Sequence, residues 1–157
     1  MTAIIYMSKH GTTEKIALKL HKLIDQEGVH PIDLKINKKP DLTKHDKIII
    51  GGSIHAGSIQ KKIKDFIHSN MDELMKKEIA LFLCCMKDGE EAREQFENAY
   101  PEELRKHAKK IEILGGEFLF DKMNFFERAI VRKVAGVKEN ISKIDNNKIA
   151  EIAEAFR

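Results

Sequence analysis

Ser8, Thr12 and Thr13 crowd into a short turn within IIYMSKHGTTEKIALKL, with Lys9, His10 and Gly11 between them. An apolar run stops at Ser8, and a pattern of helical spacing starts at Thr12 or Thr13. The first N–H groups of a helix have no partner inside it. They carry partial positive charge and attract phosphate. Gly11 lets the backbone approach an anion closely. The hydroxyls add short donors, and Lys9 and His10 extend the set. A threonine cap after a glycine turn is the plainer account of the same residues. A buried strand before the turn and an amphipathic helix after it favour the phosphate.

The elements that must position this turn alternate along the chain. Residues 2–7 read as a buried strand, and 12–27 as a helix with Ile16, Ala17, Leu20, Leu23 and Ile24 on one face and Gly28 at its end. Residues 29–35 form a weaker strand, and Pro31 puts it at an edge. Residues 46–53 hold a triple isoleucine and read as a central strand. A helix marked by Ile59, Ile63, Phe66 and Ile67 follows. Residues 78–85 are a fourth strand. Residues 90–110 are helical, with a break at Pro101 that opens a new helix. Residues 110–120 read as a fifth strand bent at Gly115-Gly116, and a terminal helix carries Ile144, Ile149, Ile152, Ala153 and Phe156. Strands alternating with helices predict an α/β fold, a three-layer α/β/α, doubly wound, five-stranded parallel sheet of order 2-1-3-4-5. Ligands of such sheets sit at the carboxyl ends of the strands where the winding reverses. That rule brings together loops 8–13, 52–58 and 85–89.

Composition narrows the function. The chain of 157 residues suits one domain, and its formal charge of +3 gives no argument for nucleic acid. No apolar run reaches the roughly 18 residues of a membrane span. The N-terminus lacks the basic-then-apolar pattern of a secretory signal. The two cysteines are adjacent, so they make neither a disulfide framework nor a zinc site, and they fit a reducing, cytoplasmic setting. No metal site is expected. The G-x-x-x-x-G-K-[ST], G-x-G-x-x-G and G-x-S-x-G signatures are missing. The strand ends YMSKH and IIGGSIH carry none of the carboxylates that a phosphoreceiver site would need.

SKHGTT between strand and helix resembles the flavodoxin phosphate signature, roughly [ST]-x-x-G-x-T. IIIGGSIHAGSIQKKIKDFI resembles the third strand and second flavin loop of that superfamily, and ALFLCC with MKDGEEA resembles the fourth strand and third loop. The similarity covers nearly the whole chain and runs closest to the flavodoxin-type, menaquinone-dependent protoporphyrinogen oxidases. The resemblance implies FMN as cofactor, its phosphate on Ser8, Lys9, His10, Gly11, Thr12 and Thr13. It implies that Ser53, Ile54, His55, Ala56 and Gly57 meet the flavin N5, and that Cys84, Cys85, Met86, Lys87 and Gly89 line the ring's other side. His55 is a tentative proton donor near N5, although loop histidines are as often idle. Trp is missing, and Tyr6 and Tyr100 lie in neither flavin loop, so Ile54, His55 and Met86 are left to supply ring contacts. Cys84-Cys85 reads as two small buried hydrophobes, with a redox-active vicinal pair as the alternative.

Residues 121–140 join aromatic and aliphatic side chains to Arg128, Arg132, Lys133 and Lys138. They read either as a short helix packed on the core or as an adhesive element for a membrane surface, a quinone or an apolar substrate. The expected function is therefore an FMN-dependent oxidoreductase that takes electrons from a porphyrinogen and passes them to a quinone or other redox partner. The site would be cytoplasmic, or peripheral on the inner face of the membrane. The alternative is a flavodoxin-type carrier with no substrate of its own. The slightly positive balance argues modestly against an acidic shuttle.

Overall fold

Ile48, Ile49 and Ile50 divide between two cores, because successive side chains of a strand point to opposite faces. The computed structural model describes residues 1–24, 27–136 and 138–157. Residues 25 and 26 of the expected first helix, and residue 137 of the 121–140 segment, lie outside the described residues.

Five strands form the main sheet: β1 (Thr2–Tyr6), β2 (Val29–Asp33), β3 (Lys47–His55), β5 (Glu78–Cys84) and β6 (Lys110–Ile113). They pair in parallel in the order β2-β1-β3-β5-β6. Counted among themselves they run 2-1-3-4-5, as the alternation of elements predicts. Pro31 faces Ile4 from the edge strand, where its missing N–H costs no ladder bond further out.

Helices cover both faces. On one, α1 (Thr12–Ile24) and α6 (Asn146–Phe156) pack Ile16, Leu20, Ile149, Ile152 and Phe156 against Ile4, Ile49 and Phe82. On the other, α2 (Lys61–Leu74), α3 (Gly89–Ala99) and α4 (Glu102–His107) bring Ile63, Phe66, Ile67, Phe96 and Leu104 against Ile5, Ile48, Ile50 and Leu81. Each fully buried Ile, Leu or Phe contributes about 1.5–3 kcal/mol of transfer free energy. This double burial explains why the strands read as unbroken apolar runs. Pro101 precedes the first residue of α4 and divides it from α3.

Three segments differ from the sequence expectation. β3 continues to His55 and folds back through Ala56-Gly57 into β4 (Ser58–Ile59), an antiparallel pair. The turn residues both have positive φ, 50° and 79°, the geometry of a two-residue hairpin. The 53–57 stretch is thus a strand and a hairpin, and the cap of α2 is Gln60. The fifth strand ends at Ile113 and does not run to residue 120. Gly115, at φ 78°, turns the chain out of the sheet; β7 (Glu117–Phe118) then pairs antiparallel with β8 (Ile141–Ser142) in a separate ribbon. Between them lie a 3₁₀ turn, Phe120–Lys122, and α5 (Phe125–Ala135). α5 is capped by an Asn124–Glu127 box and closed by Gly136 in the left-handed region. None of its residues is buried, so it is not a helix packed on the core.

Candidate functional site

The turn after β1 and the ends of β3 and β5 meet at the carboxyl edge of the sheet, where the order reverses. Ser8, His10, Thr12, Ser53, Ile54, His55, Cys84, Cys85 and Met86 surround a small cavity of about 50 Å³. Gly116 and Glu117, which carried no motif, complete its wall. Lys87 and Gly89 line a neighbouring hollow of about 380 Å³ with Lys143 and Asp145. Ala56 and Gly57 form the exposed hairpin tip. A larger hollow of about 530 Å³ between residues 34–40 and α2 has three lysines in its lining and lies away from the residues singled out in the sequence.

In the turn after β1, Gly11 has φ 97°, which L side chains rarely adopt, and its N–H donates to Ser8 Oγ at 2.9 Å. Its carbonyl accepts the first helical bond, from Lys15 N–H at 2.9 Å. The N–H groups of Thr12, Thr13 and Glu14 therefore have no acceptor within the helix. The Thr13 hydroxyl is fully buried, and beyond a weak contact with the Cys84 thiol it has no hydrogen-bond partner. A buried hydroxyl so poorly paired is costly, and a ligand oxygen would satisfy it.

Gln60 fixes the neighbouring loop. Its amide donates to Met7 O at 3.2 Å and Ser53 Oγ at 2.8 Å, and accepts from Ser53 N–H at 3.0 Å. Gly52 leaves room for this: a Cβ there would come within 2.8 Å of Gln60 Oε1. Gly51 instead makes way for the Phe82 ring, so both glycines serve packing. Ser53 Oγ lies 3.0 Å from His55 Nε2, and the rings of His55 and His10 meet edge to face at 5.7 Å. Burial, followed by the charges of His10 and Lys9, brings the His55 imidazole down to about 4, so it is neutral at pH 7.

Residues 3–145 match the flavodoxin domain family. The chain belongs to that family. Solved structures agree on the fold. The two-electron-reduced flavodoxin of Megasphaera elsdenii superposes with a TM-score of 0.63 at 16% identity, covering 99% of this chain and 98% of that one. Oxidised flavodoxin 1 of Bacillus cereus gives 0.59 at 20% identity, with 99% and 95% covered. The rubredoxin oxygen oxidoreductase of Desulfovibrio gigas gives 0.58 at 16% identity, over 99% of this chain but 36% of that one. No curated protein sequence matches the chain.

In this flavodoxin domain neither tyrosine lines the cavity. Cys84 and Cys85 belong to opposite cores. Both are free thiols, and their opposed directions exclude the vicinal redox pair. Burial pushes the Cys84 thiol up to about 12, which makes it inert.

Two carboxylates absent from the sequence reading dominate the local field. Glu117, 4% exposed, accepts from Thr12 Oγ1–H at 3.0 Å and from Lys15 Nζ at 2.9 Å. Burial disfavours its charge, but the bonds from Lys15, Ser142 and Thr12 outweigh burial and hold it below the usual carboxylate range. Glu127 lies 3.0 Å from Lys9 Nζ and 2.8 Å from His10 Nε2. Burial opposes its ionisation too, yet Lys9, the Asn124 N–H and His10 bring it down to about 2. An ionised carboxylate only accepts, so His10 Nε2 carries the hydrogen. The Asn-x-x-Glu capping pattern at 124–127 announces a helix start, but nothing local points to contacts over a hundred residues away.

Proposed function

We propose that this flavodoxin domain binds FMN and transfers electrons between a reduced donor and a redox partner. The observation that carries the reading is the donor set at the start of α1: three helix N–H groups without intrahelical acceptors, beside the buried Thr13 hydroxyl, which has only a weak contact with the Cys84 thiol. That set matches a phosphate monoester in charge and hydrogen-bond type. Bound FMN supplies the redox chemistry, and the chain supplies binding, orientation and electrostatics. Ser8, Gly11, Thr12 and Thr13 hold the phosphate, and Lys9 and His10 balance its charge. Ile54 and Met86 offer apolar contact to the ring, and Ser53 through Gly57 and Cys84, Cys85, Met86, Lys87 and Gly89 form its two walls. His55, neutral at pH 7, offers a hydrogen bond without a charge.

The test is a titration of the purified chain with FMN, followed by quenching of flavin fluorescence. One FMN per chain is expected. Thr12→Glu puts a like charge at the phosphate and should weaken binding more than tenfold. Unchanged affinity in that variant means that the phosphate lies elsewhere.

A finer reading has a specific observation in its favour. On α5, Phe125, Phe126, Ile130 and Val134 are 79%, 76%, 60% and 79% exposed, with Arg132 and Lys133 among them. An apolar, basic helix beside the cavity suits a membrane-borne quinone as acceptor and an apolar porphyrinogen as donor. Among the described residues no helix is long and apolar enough to cross a membrane, so the contact would be peripheral. Oxidation of protoporphyrinogen with a menaquinone analogue, above its autoxidation rate, supports this reading. Failure across lipids and quinones leaves the carrier function.

A further inference from the structure

The donors assigned to the phosphate already hold anions. Glu117 occupies the Thr12 hydroxyl, and Glu127 occupies Lys9 and His10. Both carboxylates come from the stretch between β6 and α6. The cavity that His10, Thr12 and Glu117 line, about 50 Å³, is room for one or two waters and not for a tricyclic ring. A ligand phosphate and these carboxylates therefore compete for the same hydrogens.

The two glutamates are not equally free to leave. Glu117 is anchored by its strand pairing with Ser142 and is 4% exposed. Glu127 is 22% exposed and sits on a helix with no buried residue. Arg128 Nε donates to Phe120 O at 2.8 Å and Arg132 lies over the Phe120 ring, but both contacts stay within the same excursion of the chain. Among the described residues, the hydrogen bonds and ion pairs that α5 makes beyond residues 117–142 all run through Glu127. One carboxylate thus ties the helix to the turn after β1.

We propose that Glu127 is a resident counter-ion of this turn, exchanged for the cofactor's phosphate, so that loading the site unlatches α5 from Lys9 and His10. This rests on the FMN reading for the identity of the incoming anion. A phosphate dianion brings more charge and three oxygens to donors that Glu127 meets with one oxygen, and the displaced carboxylate has a short path to water. The exposed apolar face of α5 is then carried on a helix whose docking to the body depends on whether the site is filled.

The variant that tests this is Glu127→Gln. Glutamine keeps the acceptor for the Asn124 N–H, so the capping box survives while the charge on Lys9 and His10 is lost. FMN affinity should rise about tenfold. Hydrogen exchange of the 125–135 amides in the wild-type chain should accelerate when millimolar inorganic phosphate or FMN is added. In Glu127→Gln it should be fast from the start and indifferent to either ligand. Equal FMN affinity in the two proteins, or exchange in α5 that phosphate leaves unchanged or slows, overturns the latch and leaves the FMN reading intact. Phosphate-accelerated exchange in a chain that binds no FMN supports the latch and removes FMN as its natural ligand.

Discussion

Replacing Thr13 by valine should move stability and binding in opposite directions. The Thr13 hydroxyl is buried at the start of α1 with only the weak Cys84 thiol as a contact. An unsatisfied buried hydroxyl costs about 1–3 kcal/mol, and a buried methyl in its place gains up to about 0.8 kcal/mol. Both residues are β-branched with similar helix propensity, so the backbone contributes little. The ligand-free chain should gain roughly 2 kcal/mol, a rise in Tm of about 4–8 °C for a domain of this size. With FMN present the same hydroxyl bonds a charged oxygen, an interaction of about 1.5–3 kcal/mol. Its loss should weaken FMN about 10- to 100-fold, so the gain in Tm shrinks or reverses as FMN is added. Paired melts with and without FMN, beside a fluorescence titration, measure both effects. A valine variant that melts below the wild type without ligand, or binds FMN equally well, refutes the assignment of Thr13 to the phosphate.

Two further substitutions probe the frame around the site. Gly51→Ala would place a Cβ 1.9 Å from the tip of the fully buried Phe82 ring, an overpacking of about 3 kcal/mol, read as a Tm lower by about 6–12 °C; an unaltered Tm means that the ring has room to shift. The His55 imidazole is brought down to about 4, against 6.5 when unfolded, so between those values the unfolded chain binds the extra proton and stability falls as pH drops. Discounted for the ring's partial exposure, this amounts to about 2 kcal/mol between pH 7 and 4.5. His55→Asn should flatten that part of a urea-midpoint series, and parallel curves would show that His55 is not the group responsible. The depressed carboxylates of Glu117 and Glu127 act in a lower window, below about 4.5, and do not confuse the comparison.

What could be read in the sequence and what could not divides along the range of the interactions. The isoleucines at 48–50, the helical spacing of Ile16, Ala17 and Leu20, and the edge proline at 31 act through local geometry and a common core, so a one-dimensional pattern carries them. The backbone of the turn after β1 is equally local, because Gly11 meets Ser8 and Lys15 within four residues, whereas its side chains find partners far away. The fifth strand failed where local pattern and tertiary pairing disagree. KIEILGGEFLF alternates well enough to be one strand, yet Gly115 turns away from the sheet and Glu117-Phe118 find a partner in Ile141-Ser142, which no periodicity reveals. The glutamates were invisible for the same reason carried further. As acids in a mixed-charge stretch they carry no local signal of a partner, and only the fold brings Glu117 to Thr12 and Glu127 to His10. A flavodoxin domain recognised from its loops alone is thus recognised by the half of its site that binds. The half that resists binding is written in residues more than a hundred positions away, where charge type survives in the sequence but its target does not.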